Sequence, residues 1–320
     1  MKIRNMEDAR EAFRQSDRSV IGIATSAFSR LGPERYCPNY AIASLKDGDE
    51  VGLIGKDVNV LVSGQGGRHV KGGMLRDRRV IEFISSFGEP CILPYRVTKK
   101  VIRIAGENGW KIIGNTMPLK ISDKAEFREI LKSLKIDSVP GETSAIQKHD
   151  YSYYEKKYGK FVMQIPKSSG GKGTFFVNSA KDFEEAVRKI KEKTNKMVVT
   201  KFIEGPSPSI TGCVTKHGVV CTNLQHQLLD LRECVNPANG TGIFCGHDWS
   251  SSSFDAASES RAHEYAEKIG NCLKSAGYVG IFGIDMIMDG GSIYPLECNP
   301  RLLGSYPVLD MVQVLLDLKM

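Results

Sequence analysis

Residues 283–301 read GIDMIMDGGSIYPLECNPR, and this stretch decides the fold prediction. Alternating apolar residues lead into an Asp-Gly-Gly turn at 289–291, and a second apolar strand runs back, which is the pattern of a β-hairpin. The period of two along a strand places Asp285 on one face of the first strand, and Glu297 and Asn299 on one face of the second. We therefore expect the turn to bring three oxygen-bearing side chains together, as a hard cation such as Mg²⁺ requires.

An arginine follows this predicted cation site. Arg301 lies two residues beyond Asn299 and is a candidate to clamp an anion. A hairpin that only fills a core has little use for two carboxylates, an amide and an arginine. The pattern therefore indicates a metal and anion site near the carboxyl end of the sequence.

The composition is that of an ordinary globular protein. The 320 residues leave room for two or three lobes, and 41% of them are hydrophobic and 25% charged. No apolar run approaches the roughly 20 residues of a membrane helix. The first eight residues are charged and lack the apolar stretch of a signal peptide. We expect a cytoplasmic protein that does not enter a membrane.

The distribution of charge and the spacing of the cysteines limit the classes of ligand and partner that we expect. The net charge of +7 is spread along the chain, which disfavours a nucleic-acid partner and suits polyphosphates or acidic small molecules. The eight cysteines show neither a CxxC pair nor zinc-finger spacing. Free, mostly buried thiols are the expectation.

The amino-terminal part alternates short apolar runs with helical spacing, which predicts an α/β lobe with a parallel sheet. Strands are expected at 19–26, 58–63 and 111–115. The glycine-rich stretch from Ser63 to His69 follows the second of them. It is either a phosphate loop at a helix start or a plain connection.

A second α/β region begins near Asp123. Ser122-Asp123-Lys124 opens a predicted helix, with Ser122 as the expected N-cap. Residues 166–174 read PKSSGGKGT between two predicted strands. Such a loop can fold over a triphosphate and offer backbone N–H groups to its oxygens, although a mobile hairpin tip has the same composition.

Residues 198–205, VVTKFIEG, read as a strand that runs into a turn. Such an edge can present one backbone C=O and one N–H group to an adenine ring. Downstream, Gln225, His226 and His247 are polar candidates near a nucleotide or substrate. A hydrogen-bonded structural role for each histidine is the alternative.

Taken in order, the Asp-Lys helix, the glycine-loop hairpin, the KFIEG segment and the D…ECNPR hairpin resemble the ATP-grasp superfamily over residues 110–305. The resemblance implies an α/β (α+β) fold, in which an amino-terminal α/β lobe with a parallel sheet precedes a two-lobed ATP-grasp fold with antiparallel sheets. The expected domains are 1–117 (α/β), 118–198 (small lobe with the glycine-rich loop) and 199–320 (carboxyl-terminal lobe with the metal site).

The resemblance also implies roles for individual residues. Mg²⁺ or Mn²⁺ would be held by Asp285, Glu297 and Asn299, and Arg301 and Lys172 would take part in catalysis. The residues implied to bind ATP are Lys124, Gln164, Lys167, Gly170, Gly171, Gly173, Thr200, Lys201, Ile203 and Glu204.

Two positions depart from the family pattern. Gln164 stands where a phosphate-binding lysine is usual, so either Gln164 or Lys167 takes that role. The acid that usually binds the ribose follows the hinge, where this chain has Pro206 to Ser209, and Glu204 is the nearest acid.

The activity implied by the resemblance is ligation of a small carboxylate to an amine. ATP would form an acyl-phosphate, with release of ADP and phosphate. ATP-dependent carboxylation or phosphorylation of a small molecule is one alternative, and a non-catalytic ATP-binding regulator is another. The partners expected are small molecules, neither nucleic acid nor membrane, and a homodimer is compatible with the sequence.

Overall fold

The structure is a computed structural model that describes residues 6–46, 58–64, 73–116, 119–146, 148–168, 173–234, 242–249 and 254–315. The chain divides into two compact units. Unit 1 contains Met1–Pro118 and Arg301–Met320, and unit 2 contains Leu119–Pro300.

Unit 1 is built on a parallel sheet. Its five strands run in the order β3-β2-β1-β4-β5, and every pair of neighbours is parallel. The strands are β1 (Ser19–Ser26), β2 (Tyr40–Lys46), β3 (Asn59–Val62), β4 (Pro90–Pro94) and β5 (Lys111–Ile112). The predicted parallel sheet is therefore confirmed, and β5 is shorter than expected.

Both faces of this sheet are buried, as parallel sheets require. Ile21 and Ile23 of β1 belong to one core cluster, and Val20 belongs to another. The helices of this part of the chain are α1 (Met6–Arg14), α2 (Arg78–Ser85) and α3 (Lys99–Glu107). Asp77 caps α2 and Thr98 caps α3, each by accepting a backbone N–H.

Unit 2 begins with a four-stranded antiparallel sheet in the order β6-β9-β7-β8. Aromatic and aliphatic side chains such as Phe161 and Tyr154 form a core with the helices that cover it. The elements here are α4 (Lys124–Ser133), β6 (Gly141–Ala145), α5 (Tyr151–Tyr158), β7 (Phe161–Gln164), β8 (Thr174–Val177), α6 (Ala180–Lys191) and β9 (Lys196–Lys201).

A second antiparallel sheet completes unit 2. Its order is β13-β12-β10-β14-β15, with β11 paired to β10. The elements are β10 (Pro208–Val214), β11 (Val219–Cys221), β12 (Gln225–Leu229), β13 (Phe244–Asp248), α7 (Ala256–Ser275), β14 (Gly280–Asp289) and β15 (Ser292–Asn299). Residues of α7 and α4 share one buried core cluster with this sheet. The predicted antiparallel sheets are confirmed.

The segment after Pro300 belongs to unit 1. Its helix α8 (Tyr306–Leu315) carries Asp310, which is only 3% exposed. Arg35 Nε lies 3.1 Å from Asp310 Oδ2, and the Tyr36 hydroxyl donates to Oδ1 at 3.0 Å. Charge pairing therefore attaches this segment to the amino-terminal part of the chain.

One predicted helix cap is wrong. Ser122 lies in a short 3-10 helix, and Asp123 is the N-cap of α4 because its carboxylate accepts from the N–H groups of Ala125 and Glu126. A carboxylate at this position also suits the positive end of the helix dipole.

Two global expectations can be compared with the structure. None of the helices in the described ranges is both long and apolar enough to cross a membrane. All eight cysteines are free thiols, but only Cys37, Cys91 and Cys298 are buried, so the expectation of mostly buried thiols is only partly met.

Candidate functional site

The β14–β15 hairpin places the predicted metal ligands on one face of the second sheet of unit 2. Asp285 is the cross-strand partner of Glu297, and Asn299 is the partner of Gly283. Cys298 and Ile284 lie between them on the opposite face, where both are buried in the core. The side chains of Asp285, Glu297 and Asn299 are half-buried and therefore remain reachable by a ligand.

Asp285 is held by three donors. Ser209 Oγ and Gln227 Nε2 each lie 3.2 Å from its Oδ1, and Asn299 Nδ2 lies 3.1 Å from its Oδ2. Hydrogen bonds of this kind orient a carboxylate and stabilise its charged form. Asn299 donates through its amide nitrogen, and its amide oxygen is an acceptor of the kind that hard cations prefer.

Glu297 is paired with a buried lysine. Lys124 Nζ lies 2.7 Å from Glu297 Oε2, and Lys124 is only 5% exposed. The same ammonium also donates to the Ser168 carbonyl at 3.3 Å. A buried ammonium needs such partners, because an unpaired buried charge is costly.

The start of α4 positions Lys124 beside the glycine-rich loop. The Lys124 backbone N–H donates to the Pro166 carbonyl at 3.0 Å, and Asp123 caps the helix. Lys167, by contrast, is 78% exposed at its side chain and lies 3.8 Å from the Asp123 carboxylate. The structure thus brings Lys124 to the hairpin carboxylates and leaves Lys167 at the surface.

The base of the glycine-rich loop is a regular hairpin between β7 and β8. Gln164 pairs with Thr174, and Gln164 Nε2 donates to the Thr174 hydroxyl at 3.2 Å. A Cβ atom on Gly173 would lie 2.4 Å from Ser168 Cβ, so only glycine fits there without a shift. Gly170, Gly171 and Lys172 lie outside the described residues.

The KFIEG segment begins at the end of a strand, as expected. Thr200 lies one residue before the end of β9, between Gly141 of β6 and Val162 of β7, and its role at an adenine ring remains a prediction. Lys201 and Glu204 are exposed, and Ile203 is half-buried. Within the described residues the Ile203 N–H donates no hydrogen bond, so it is one of the backbone donors of this segment that an adenine ring could engage.

Neighbouring strands extend the polar face around Asp285. Gln225 is fully buried, donates to the Thr211 hydroxyl at 3.2 Å and accepts from the Trp249 indole at 2.6 Å. His247 is the cross-strand partner of Gln227. Gln225 therefore has a structural role on this face, and His247 remains a candidate for ligand contact.

The two predicted histidines behave differently. Both ring nitrogens of His247 are buried and have no hydrogen-bond partner among the described residues, and burial lowers its pKa to about 4. His226 stacks on Phe254 at 4.1 Å between ring centroids, and Phe254 packs against the core. The His226 ring is thus held by aromatic stacking, and its role near a nucleotide or substrate remains a prediction.

Sequence reasoning missed Ser209 and Gln227. Both donate to Asp285, yet they lie on β10 and β12, well before the hairpin in sequence. In the structure Ser209 is the cross-strand partner of both Asp285 and Gln225, a register that follows from the order of the strands. Strand order cannot be read from hydrophobic periodicity alone.

Arg301 belongs to unit 1. Its guanidinium carbon lies 4.4 Å from the centroid of the Tyr95 ring, which is within cation–π distance. The role in catalysis expected for Arg301 remains a prediction, as do the roles of the other residues at the hairpin.

The hairpin side chains fit a hard cation. The acceptors are carboxylate and amide oxygens, which Mg²⁺ and Mn²⁺ prefer. In the described part of the chain, no cluster of three or more His, Cys, Asp or Glu side chains is arranged to hold a metal. A metal at the hairpin would thus have two carboxylates and one amide as protein ligands, which leaves positions for phosphate oxygens.

Comparisons with known proteins agree on the family. The ATP-grasp domain family matches residues 96–305, more than half of the chain. Among curated proteins, the chain is 28% identical over 160 residues to the "[Butirosin acyl-carrier protein]--L-glutamate ligase" of Niallia circulans. That match covers 48% of this chain and 36% of the ligase, so the chain spans about a third of that relative.

Solved structures show the same fold. Biotin carboxylase from Campylobacter jejuni superposes with a TM-score of 0.66 at 17% identity, over 92% of this chain and 68% of that one. N5-carboxyaminoimidazole synthetase from Staphylococcus aureus, complexed with ADP, gives a TM-score of 0.59 at 15% identity, over 88% and 70%. The motif order, the two antiparallel sheets and the domain match together show that this chain belongs to the ATP-grasp family.

Proposed function

We propose that this chain joins a small carboxylate to an amine at the expense of ATP. The observation that carries the proposal is the arrangement of Asp285, Glu297 and Asn299 on one sheet face, with the buried Lys124 ammonium 2.7 Å from Glu297. Phosphoryl transfer depends on such a combination of oxygen ligands and fixed positive charge. Proteins of the ATP-grasp family generally use ATP with a divalent metal.

The hairpin would hold the metal through Asp285, Glu297 and Asn299. Mg²⁺ or Mn²⁺, when bound, supplies positive charge that neutralises phosphate oxygens. Ser209 and Gln227 keep the Asp285 carboxylate in place through hydrogen bonds to Oδ1. These donors act before any ligand arrives, so little reorganisation is needed on binding.

Lys124 and the loop residues would bind the phosphates. Lys124 contributes a fixed charge, and the loop that begins at Pro166 offers backbone N–H groups and the Lys167 and Lys172 ammonium groups. Gln164 is proposed to contribute a hydrogen bond rather than a charge, since it is a neutral amide that donates to the Thr174 hydroxyl. The Ile203 N–H is the proposed donor to adenine, beside Thr200 and Lys201, and Glu204 is the proposed ribose ligand.

The chemistry proposed has two steps. A carboxylate oxygen of the substrate forms a bond to the γ-phosphorus as the bond to ADP breaks, which gives an acyl-phosphate. The amine nitrogen then attacks the acyl carbon, phosphate leaves, and the nitrogen loses a proton. Arg301, two residues beyond Asn299 in sequence, is proposed to stabilise the anionic group of the first step.

The proposal identifies the chemical class of the substrates, a carboxylate and an amine. L-Glutamate and an acyl-carrier protein are named for the Niallia circulans ligase, and L-glutamate, which carries both an amine and carboxylates, serves here as the first substrate candidate. A small-molecule carboxylate and a free amino acid are the simplest pair. A homodimer and a cytoplasmic location remain predictions.

A substrate screen tests the proposal. The full chain is incubated with Mg·ATP and pairs of carboxylates and amines, including L-glutamate, and both ADP and AMP are measured. Release of ADP that requires both partners supports ligation. Release that requires bicarbonate and no amine indicates carboxylation, and AMP with pyrophosphate contradicts the acyl-phosphate route.

A further inference from the structure

Unit 1 contains a fully buried arginine with an unpartnered nitrogen. Arg30 is 0% exposed. Its Nε donates to the Ile23 carbonyl at 3.2 Å, and its Nη1 donates to the Ser29 carbonyl. Among the described residues, Arg30 Nη2 has no hydrogen-bond partner. A buried donor in this state costs free energy, so the fold retains Arg30 against a penalty.

The charge of Arg30 is also uncompensated. No carboxylate of the described residues forms an ion pair with it. Burial lowers the pKa of Arg30, and the neighbouring Arg301 guanidinium lowers it further, while Tyr40 and Tyr95 act in the opposite direction. An arginine nevertheless stays protonated in a protein, so a buried positive charge remains.

Arg30 and Arg301 lie against the same tyrosine ring. The Arg30 guanidinium carbon is 5.5 Å from the Tyr95 ring centroid, and the Arg301 carbon is 4.4 Å from it. Tyr95, whose ring lies against both guanidinium groups, is 43% exposed. Cation–π contacts with one ring offset only a small part of the cost of burying a charge.

The position in the sheet is one where α/β folds bind ligands. From β1 the chain adds β2 and β3 on one side of the sheet, and it then adds β4 and β5 on the other side. The strand order therefore changes direction at β1, although all the strands run parallel. Ligands of open parallel sheets bind in the crevice outside the carboxyl ends of the strands at this reversal. Tyr95 directly follows β4, and Arg30 ends the short 3-10 helix Ala27–Arg30 that follows β1.

The surroundings of Arg30 fix its position. A Cβ atom on Gly22 of β1 would lie 2.9 Å from Arg30 Cβ, so the strand leaves room for the arginine. The Tyr40 hydroxyl donates to the Arg30 carbonyl at 2.6 Å. Arg30 is thus held rigidly with one end of its guanidinium unused.

We propose that unit 1 binds an oxyanion, a carboxylate or phosphate group of a small molecule, at this crevice through Arg30 and Arg301, with the Tyr95 ring supporting both guanidinium groups. A planar guanidinium offers paired donors that suit both anions. Binding of the anion does not depend on catalysis. Its identification as the charged group of a reactant rests on the proposed function.

Anion binding can be measured on the full chain without ATP or Mg²⁺. The probes are acetate and inorganic phosphate, added at constant ionic strength to protein labelled with ¹⁵N-arginine. We expect a saturable shift of the Arg30 and Arg301 Nε–H resonances, with a dissociation constant on the order of 1 mM. The acetate and phosphate titrations show which oxyanion the site prefers.

Two variants decide the assignment. Arg30→Met keeps the side-chain volume and should weaken binding about tenfold or more, as expected when a charged hydrogen-bond donor is lost. Arg18→Met removes the same charge just before the amino end of β1, at the opposite edge of the sheet, and should leave the dissociation constant unchanged. If Arg30→Met does not fold, Tyr95→Leu takes its place, and we expect it to weaken binding several-fold.

The oxyanion site and the proposed ligase function would be contradicted by different results. Absence of a saturable shift, or equal affinities in the wild type and in the folded variants, would overturn the oxyanion site. If Arg30→Met weakens anion binding and no substrate pair releases ADP, the oxyanion site stands and the proposed ligase function fails. If a substrate pair releases ADP and the folded variants keep the anion affinity of the wild type, the ligase function stands and the oxyanion site fails.

Discussion

The hairpin of unit 2 and the sheet crevice of unit 1 are both polar, but their charges are balanced in opposite ways. At the hairpin, Glu297 faces Lys124 and Asp285 accepts three hydrogen bonds. At the crevice, Arg30 has no carboxylate partner among the described residues and leaves Nη2 unused.

This difference shows what each region still needs. The hairpin carboxylates are held in position by the protein alone, so a metal there joins an organised set of ligands. At the crevice, Arg30 carries a positive charge that no carboxylate of the described residues offsets, and the proposed anion would offset it. Removing charges and hydrogen-bond donors from one region or the other tests this contrast.

The largest effect is expected for Glu297→Gln. Loss of one carboxylate removes a proposed metal ligand, and we expect ADP release with the substrate pair found by the screen to fall about 10³-fold, or about 4 kcal/mol. Glutamine preserves the side-chain volume and can still accept from Lys124. Circular dichroism of the variant should match that of the wild type.

Glu184→Gln serves as the control, because Glu184 is exposed on α6 and should leave the rate unchanged. A folded Glu297→Gln protein with the rate of the wild type would show that the hairpin is not the reaction site.

The free energy of unfolding should distinguish two arginines of unit 1, because Arg35 is paired with a carboxylate and Arg30 has no carboxylate partner among the described residues. Arg35→Met leaves the buried Asp310 carboxylate without its cation, and we expect the free energy of unfolding to fall by about 3 kcal/mol. Arg30→Met loses two hydrogen bonds but also removes an uncompensated buried charge, so its loss should be about 1 kcal/mol.

Urea unfolding of both variants measures this difference. A larger loss for Arg30→Met than for Arg35→Met would mean that Arg30 is a structural residue whose charge is already compensated.

His247 offers a third test, because its buried ring nitrogens have no hydrogen-bond partner among the described residues. Burial lowers its pKa to about 4, so the unfolded chain binds the proton first as pH falls. The free energy of unfolding should therefore decrease between pH 6.5 and about 4, by about 2–3 kcal/mol, and then level off with respect to this group.

The contribution of His247 is the difference between the wild type and His247→Phe, which cannot take up a proton. We expect a flatter pH dependence in His247→Phe, while His263→Gln on α7 should retain the slope of the wild type. Equal slopes in all three proteins would mean that His247 is hydrogen-bonded in solution.

The smallest effect is expected for the donors to Asp285. Ser209→Ala and Gln227→Leu should each weaken the apparent Mg²⁺ affinity about tenfold, as loss of an orienting partner does at metal sites. Titration of ADP release with Mg²⁺ measures this effect, and saturating Mg²⁺ should restore the rate. A rate that stays low at saturating Mg²⁺ would assign these residues to another role.

Local chemistry made much of the fold readable from the sequence. The Asp-Gly-Gly turn with alternating apolar residues predicted the hairpin, and the register places Asp285 opposite Glu297 as expected. Cys298 points into the core, as the period of two required. Such features depend on neighbours in sequence, where periodicity and turn chemistry are informative.

Features that depend on contacts between distant segments of the chain could not be predicted from the sequence. Ser209 and Gln227 reach Asp285 only because β10 lies between β12 and β14, an order that periodicity does not encode. The same holds for Arg30, whose burial depends on Gly22 and Tyr40. The cap of α4 was misassigned by one residue, because serine and aspartate both favour that position.

The central claim is that the β14–β15 hairpin binds the metal of a metal–nucleotide complex. Calorimetric titration of ADP, with Mg²⁺ and with EDTA, into the wild type and into Asp285→Asn/Glu297→Gln tests it most directly. We predict that Mg²⁺ tightens ADP binding to the wild type at least about tenfold and has no effect on the double variant, which still binds metal-free ADP. An equal gain from Mg²⁺ in both proteins would contradict the claim.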